Sequence, residues 1–125
     1  MLYNRGMLIQ MLGVEAVRTA QEKFGKGKVM TAEQVRWGME NLNLSKERLA
    51  ELGFGDLAHP IQTTCQDHMG SRAARVQTWD GSKWNTATDW IQADQAVVGP
   101  LVTAGAEKYA AEKKIAKRDA ADCGA

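Results

Sequence analysis

The first strong pattern along the chain is helical and lies between Leu2 and Phe24. Apolar residues recur there every three or four positions on a broad stripe, which is typical of an amphipathic helix. The stripe consists of Met7, Leu8, Ile9, Met11, Leu12, Val14, Ala16 and Val17. Because this stripe is wider than one that a surface helix usually buries, it predicts a helix covered on two sides. We expect a second copy of the chain to cover one of them, in a dimer or higher oligomer.

Two shorter helices follow, each with a recognisable first residue. Thr31 is a candidate N-cap with Gln34 at the capping-box position, and this helix is predicted to run to about Leu42. Ser45 is a candidate cap for a third helix that stops at Gly53. The first half of the chain is therefore predicted to be mainly helical.

The period then changes from three or four residues to two. Ala74–Asp80 and Trp84–Trp90 alternate in polarity around a turn at 80–83, which predicts a β-hairpin. A last helix is predicted from Gly99-Pro100 to near Lys117, with the proline in its first turn. The predicted fold class is α+β and mostly helical, with amphipathic helices and one β-hairpin.

Composition excludes several functional classes. The hydrophobic content of 44% is ordinary for a globular protein, and 16 basic against 15 acidic residues give a net charge of +1. A nucleic-acid partner is not expected, because phosphate contacts require a basic surplus. The sequence contains no apolar run long enough to predict a membrane span. Its first residues lack the features of a secretory signal, so the chain is either cytoplasmic or a fragment whose signal lay upstream.

The residues that usually carry chemistry are few and scattered. His59, His68, Cys65 and Cys123 form no motif that would assemble three or four metal ligands, so no metal site is predicted. Cys65 and His68 lie close in sequence, but a catalytic pair also needs an orienting third group. The glycines at 25–28 follow a helix, whereas phosphate-binding loops precede one. We expect no catalytic residue and no cofactor.

The order of the elements resembles one known family. A long helix that opens with a tyrosine is followed by a capped helix, a proline-containing extended stretch, an Asp-x-x-Gly turn and a hairpin with a Trp-Asp turn. The segments that carry the resemblance are Tyr3-Asn4-Arg5-Gly6, Val35-Arg36-Trp37-Gly38, Cys65-Gln66-Asp67-His68 and Trp79-Asp80-Gly81-Ser82-Lys83-Trp84. In this order they resemble the final third of the leucine/isoleucine/valine-binding proteins, the periplasmic solute-binding proteins of branched-chain amino acid ABC transporters.

This resemblance implies a fragment of a two-lobed type I periplasmic-binding-protein fold. Residues 1–66 would form the helical part of the first lobe, residues 67–91 the hinge crossing and hairpin of the second lobe, and residues 92–125 the C-terminal helix and tail. The implied function is the non-catalytic solute-binding component of an ABC transporter. Its parent would reside in the periplasm and deliver an amino acid or related organic acid to a membrane permease.

The same resemblance assigns roles to individual residues. It places Tyr3 and Asn4 nearest the ligand cleft and Asp67, His68 and Gly70 at the hinge. Most ligand-contacting positions of the family would lie upstream of Met1, so we expect no ligand binding by this chain alone. The alternative function is an autonomous small helical module for interaction or oligomerisation.

The resemblance also implies a pairing of the two cysteines. The four segments quoted above resemble one subgroup of the family in particular. This subgroup carries a cysteine near the position of Cys65 and another near that of Cys123, and periplasmic proteins fold where disulfides persist. We expect a disulfide in the parent protein and, by a narrow margin, in this chain too, with two free thiols as the alternative.

Overall fold

The computed structural model describes residues 2–116, 118 and 123, which fall into two compact units. The helical unit contains the described residues up to Ser71 together with Cys123, and the hairpin unit contains those from Arg72 to Arg118. The helical unit comprises α1 (Leu2–Phe24), α2 (Ala32–Met39), β1 (Asn43–Leu44), α3 (Lys46–Glu51) and β2 (Ile61–Gln62). The hairpin unit comprises β3 (Ala73–Ala74), β4 (Gln77–Trp79), β5 (Trp84–Thr86), β6 (Ile91–Gln92) and α4 (Gln95–Lys113).

Helix α1 has the predicted bounds, and one side of its apolar stripe is packed. Leu8, Met11 and Leu12 contact a core built around Leu44 and Leu49. On the other side of α1, residues such as Met7 and Val14 remain exposed. The width of the stripe thus reflects one packed side and one side that the described residues leave exposed. The structure contains a single copy of the chain, so the expected oligomer stays a prediction.

Helix α2 crosses α1 at very short range. Its predicted capping box is confirmed: the Gln34 backbone N–H donates to the Thr31 hydroxyl at 3.3 Å, and the Thr31 backbone N–H donates to the Gln34 side chain at 3.0 Å. At the crossing, Gly38 is buried, and a Cβ placed there would lie 2.1 Å from the carbonyl oxygen of Ala16 and 3.1 Å from the Cβ of Ala20. Only glycine lets the two backbones approach this closely.

The core lies between α1, α3 and a small sheet. Ser45 caps α3, as predicted, by accepting a hydrogen bond from the Arg48 backbone N–H at 3.2 Å. Strand β1 pairs antiparallel with β2, which lies in the proline-containing extended stretch. This pairing and the buried side chain of Leu49 hold α3 against α1.

A buried ion-pair network joins α1 to α3. The carboxylate of Glu15, only 2% exposed, accepts hydrogen bonds from Nη2 and Nε of Arg48 at 2.8 and 3.0 Å and from Nε of Arg18 at 2.9 Å. Arg48 also donates to Glu51 at 2.9 Å. The hydrogen bonds from Arg48 are the main reason that the pKa of Glu15 lies below its ordinary value.

The hairpin unit contains the predicted hairpin and a second pair of strands. Strands β4 and β5 pair antiparallel with Trp79 opposite Trp84, and the carboxylate of Asp80 accepts hydrogen bonds from the backbone N–H groups of Ser82 and Lys83, both at 2.9 Å. Strands β3 and β6 extend the hairpin arms as a second antiparallel pair. The prediction of one hairpin is therefore incomplete, because the described residues form three two-stranded antiparallel sheets.

Helix α4 starts earlier than the sequence suggested. Asp94 is its N-cap and accepts a hydrogen bond from the Ala96 backbone N–H at 2.9 Å, so Pro100 lies in the second turn instead of the first. The helix ends at Lys113, whereas the predicted end near Lys117 lies outside the described residues. No residue of α4 from Gln95 to Lys113 is buried.

A disulfide closes the helical unit. Cys65 and Cys123 are bonded, with 5.5 Å between their Cα atoms and a sequence separation of 58. This distance is within the usual range for bridged cysteines. The bond ties the loop after β2 to a residue near the end of the chain.

Candidate docking groove

The helical unit carries an apolar groove of about 860 Å³ on its surface. It lies between α1, the end of α2, the β1–β2 pair and the loop at 63–71, which we call the 63–71 loop. Its apolar walls are Ile9, Leu12, Met39, Leu42, Ile61 and Met69. These residues come from four separate segments of sequence, and the fold brings them to one surface.

The charged groups of the groove compensate one another. Glu40, the C-cap of α2, is buried, and its Oε1 accepts a hydrogen bond from Nε of Arg36 at 3.1 Å. Nε2 of His68 lies 3.6 Å from the same oxygen. The groove therefore has no uncompensated negative charge at Glu40 with which to attract a cation.

Hydrogen bonds hold the 63–71 loop beside the groove. The Thr63 hydroxyl donates to the carbonyl oxygen of Met39 at 2.6 Å, and the Thr63 backbone N–H donates to the carbonyl oxygen of Leu42 at 3.0 Å. Further along, Asp67 accepts a hydrogen bond from the Met69 backbone N–H at 3.0 Å. These contacts and the disulfide at Cys65 fix the position of His68 and Met69 at the groove wall.

The residues expected at a hinge therefore lie in this loop. Asp67 forms its turn, while His68 and Gly70 line the groove. Gly70 has a φ of +68°, a left-handed conformation that favours glycine, and a Cβ there would lie 3.2 Å from Ile61. The structure thus gives these residues a local role in shaping the loop, and the hinge assignment stays a prediction.

The two residues expected at a ligand cleft lie elsewhere. Tyr3 is exposed in the first turn of α1. Asn4 borders a separate depression of about 580 Å³, together with residues of α3 and the turn after it such as Lys46 and Asp56. The structure therefore does not bring Tyr3 and Asn4 to the groove.

The cysteine and histidine side chains near the groove are engaged in local contacts. Cys65 is held in the disulfide, and His59 Nδ1 lies 3.2 Å from both the Pro60 carbonyl oxygen and the Ser71 hydroxyl oxygen. Across the residues that the structure describes, no group of three or more His, Cys, Asp or Glu side chains could hold a metal ion. A mainly apolar surface with compensated charges is suited to binding another apolar surface.

Sequence reasoning did not find this groove. Its apolar residues were assigned to helix cores or to loop, and the contacts that assemble them are long-range. The sequence contains one weak indication of the groove: Met39 is followed by the charged Glu40, and Met69 is preceded by the titratable His68. That signal is too weak to define a surface without the fold.

Comparison with known proteins gives one informative match. Neither a protein-family model nor a curated protein matches the chain. A crystal structure from the Pseudomonas fluorescens group, described as an ABC transporter permease, is similar to it with a TM-score of 0.86 and 42% sequence identity over 94% of the chain. The chain spans only 28% of the length of that protein.

This match corrects the expectations that rested on the family resemblance. The similar structure is described as a permease, so the assignment to the C-terminal part of a branched-chain amino acid-binding protein is wrong, as is the fragment of a two-lobed binding-protein fold. The helices and small antiparallel sheets instead match part of the permease structure. The local signals behind the resemblance, such as helix caps and tight turns, recur in unrelated folds and do not identify a function.

The functional expectations are corrected in the same way. The role of solute-binding component, the alternative of an autonomous oligomerisation module and the periplasmic location all conflict with the permease match. The similar protein is described as an ABC transporter permease, which is a transport component. Of the helices described, none has both the length and the apolar character needed to cross a membrane.

Proposed function

We propose that this chain is a non-catalytic part of an ABC-transporter protein of the kind described for the Pseudomonas structure. The supporting observation is the 42% identity that extends over 94% of the chain at a TM-score of 0.86. Since the chain spans 28% of that protein, it corresponds to one segment of it and not to the whole. Transport by the longer protein, and its assembly with other transporter subunits, belong to this proposal.

The surface of the chain supports a role in assembly. The groove of the helical unit, the outer side of α1 and the whole of α4 leave large apolar side chains exposed, including Met39, Val14 and Leu101. Exposing such surfaces to water is energetically unfavourable, and extended apolar patches usually mark contacts with other proteins or with lipid. We therefore assign to this chain a packing role within a larger transporter protein.

The proposal is tested by replacing the matched segment of the Pseudomonas protein with this chain. We call the resulting protein the graft. It is expressed in a Pseudomonas strain that lacks the parent gene and purified through a tag from detergent-solubilised membranes. The graft is expected to co-purify with an identified ABC ATPase subunit at the level of the parent protein.

The matched control is a graft that carries Gly38→Leu. Even a Cβ at position 38 would lie 2.1 Å from the Ala16 carbonyl oxygen. The larger leucine side chain therefore cannot be accommodated and disrupts the packing of α1 and α2. The control is expected to lose the ATPase subunit. A folded graft that recovers no ATPase subunit, while the parent protein does, would contradict the proposed function.

A further inference from the structure

We propose that the groove of the helical unit is the docking site for an apolar, uncharged segment of the longer transporter protein. The occupant comes from the part of that protein which has no counterpart in this chain. This inference rests on the proposed function in one respect, that a longer protein of the permease kind exists.

The first argument is the exposure of the groove rim. Ile9, Met39 and Met69 are 53%, 55% and 55% exposed, and they come from α1, the end of α2 and the 63–71 loop. Three large apolar side chains from separate segments therefore meet around one concave surface. A concave surface of this kind offers an apolar segment several contacts at once, and burying it removes apolar area from water.

The second argument concerns the charge of the occupant. Glu40 is the buried acidic group of the groove, and Arg36 donates to its carboxylate at 3.1 Å while His68 lies 3.6 Å away. A cationic side chain of the occupant would be desolvated without finding an uncompensated partner at Glu40. The groove therefore favours a segment whose docked side chains are apolar and uncharged.

The third argument is that the groove is already formed in this chain. The hydrogen bonds of Thr63 to the end of α2, the turn at Asp67 and the disulfide at Cys65 hold the 63–71 loop in place. Because the loop is already ordered, a segment that docks here does not pay the conformational entropy of ordering it on binding. The groove is therefore preformed as a contact surface in the absence of its occupant.

The fourth argument identifies the occupant. More than two thirds of the Pseudomonas protein lies outside its match to this chain, while the matched part shares the fold at a TM-score of 0.86. The longer protein therefore has ample chain to cover the groove and is covalently connected to it. Covalent connection gives such a segment a high effective concentration, which a second copy or a separate partner lacks.

The test compares Met39→Glu with Val29→Glu, in the isolated chain and in the graft. Both positions are exposed apolar residues in this structure, but Met39 lines the groove and Val29 lies in the turn between α1 and α2. In the isolated chain, we expect neither substitution to move the unfolding temperature by more than about 2 °C. In the graft, Met39→Glu would bury an unpaired charge and lower the unfolding temperature by roughly 5 °C or more, whereas Val29→Glu would not.

A second measurement follows the oxidation of Met69 by hydrogen peroxide, resolved by mass spectrometry of peptides. We expect Met69 to be oxidised at least about tenfold more slowly in the graft than in the isolated chain, because a docked segment restricts access. A methionine introduced by Val29→Met serves as the exposed reference and should react at the same rate in both proteins.

Each other outcome overturns the proposal. Equal oxidation of Met69 in the isolated chain and the graft means that nothing covers the groove. An isolated chain that sediments as a dimer, and becomes a monomer with Met39→Glu, identifies a second copy as the occupant. A graft that does not fold shows that this chain does not fit the matched position.

The experiment also separates this inference from the proposed function. A graft that recovers the ATPase subunit but leaves Met69 unprotected refutes only the docking site. A graft that protects Met69 but recovers no ATPase subunit refutes only the proposed function.

Discussion

The crossing of α1 and α2 predicts that the same substitution, glycine to alanine, has opposite effects at two positions. At Gly38 the added methyl group would lie 2.1 Å from the carbonyl oxygen of Ala16 and 3.1 Å from the Cβ of Ala20. At Gly13, within α1, the added methyl group would meet nothing within 4 Å apart from its chain neighbours and the nearby backbone of its own helix. The same methyl group is thus added at both positions, but only Gly13 has space for it.

The magnitude follows from two opposing effects. Alanine is more favourable than glycine in a helix interior by about 0.8–1 kcal/mol, and this gain applies at both sites. At Gly38 the methyl group meets backbone and not a flexible side chain, so α1 and α2 must move apart. Overpacking of this kind typically costs about 1–3 kcal/mol, and a contact this short lies at the upper end of that range. We therefore expect Gly38→Ala to lower the free energy of unfolding by about 2 kcal/mol, and Gly13→Ala to raise it by about 0.5–1 kcal/mol.

Urea denaturation followed by far-UV circular dichroism measures both changes. The fluorescence of Trp37 adds a local probe, because its ring packs edge-to-face on Phe24 with 5.3 Å between centroids at the α1–α2 contact. The reasoning is refuted if Gly38→Ala unfolds at the same urea concentration as the wild type or at a higher one. It is also refuted if both substitutions change stability in the same direction.

Three further predictions concern other stabilising features. Glu15→Gln should lower the free energy of unfolding by about 1–3 kcal/mol at pH 7, because the buried Glu15 accepts hydrogen bonds from Arg48 and Arg18. The pKa of Glu15 is lowered in the folded state, so its contribution is present above the ordinary value of 4.5 and is lost as the pH falls through the folded-state value. The urea midpoints of wild type and variant should therefore converge as the pH is lowered below 4.5. Reduction of the disulfide, or Cys123→Ser, should destabilise the chain. In the entropy model, a sequence separation of 58 corresponds to a loss of up to about 4 kcal/mol. An unchanged melting temperature under reducing conditions would contradict this prediction. Thr31→Ala should cost about 1 kcal/mol through loss of the N-cap of α2, whereas a change confined to experimental error in calorimetry would show that the cap contributes nothing.

The local elements were predictable where a side chain acts on its own backbone. The caps at Thr31 and Ser45 and the turn at Asp80 depend on hydrogen bonds to residues two or three positions away, and all three are present. The sequence predicts the first turn of α4 at Pro100, but Asp94 caps the helix, so α4 begins earlier than predicted. A proline can also occupy a later turn, so it is a weaker boundary signal than a cap.

The groove could not be predicted, because it depends on long-range contacts between short elements. Strands β1 and β2 have two residues each, too few for a period-two pattern to be recognised. Gly38 was one residue of a predicted helix, and its close approach to Ala16 becomes visible only when both helices are placed. The functional assignment failed for a related reason: the order of short local motifs does not determine the protein to which they belong.

The most direct test of the account is the crystal structure of the graft. The account predicts that this chain keeps its fold in the place of the matched segment. It also predicts that residues from outside the chain bury Ile9, Met39 and Met69 in the groove. A graft structure in which Met39 and Met69 remain as exposed as they are here, at 55% each, would contradict it.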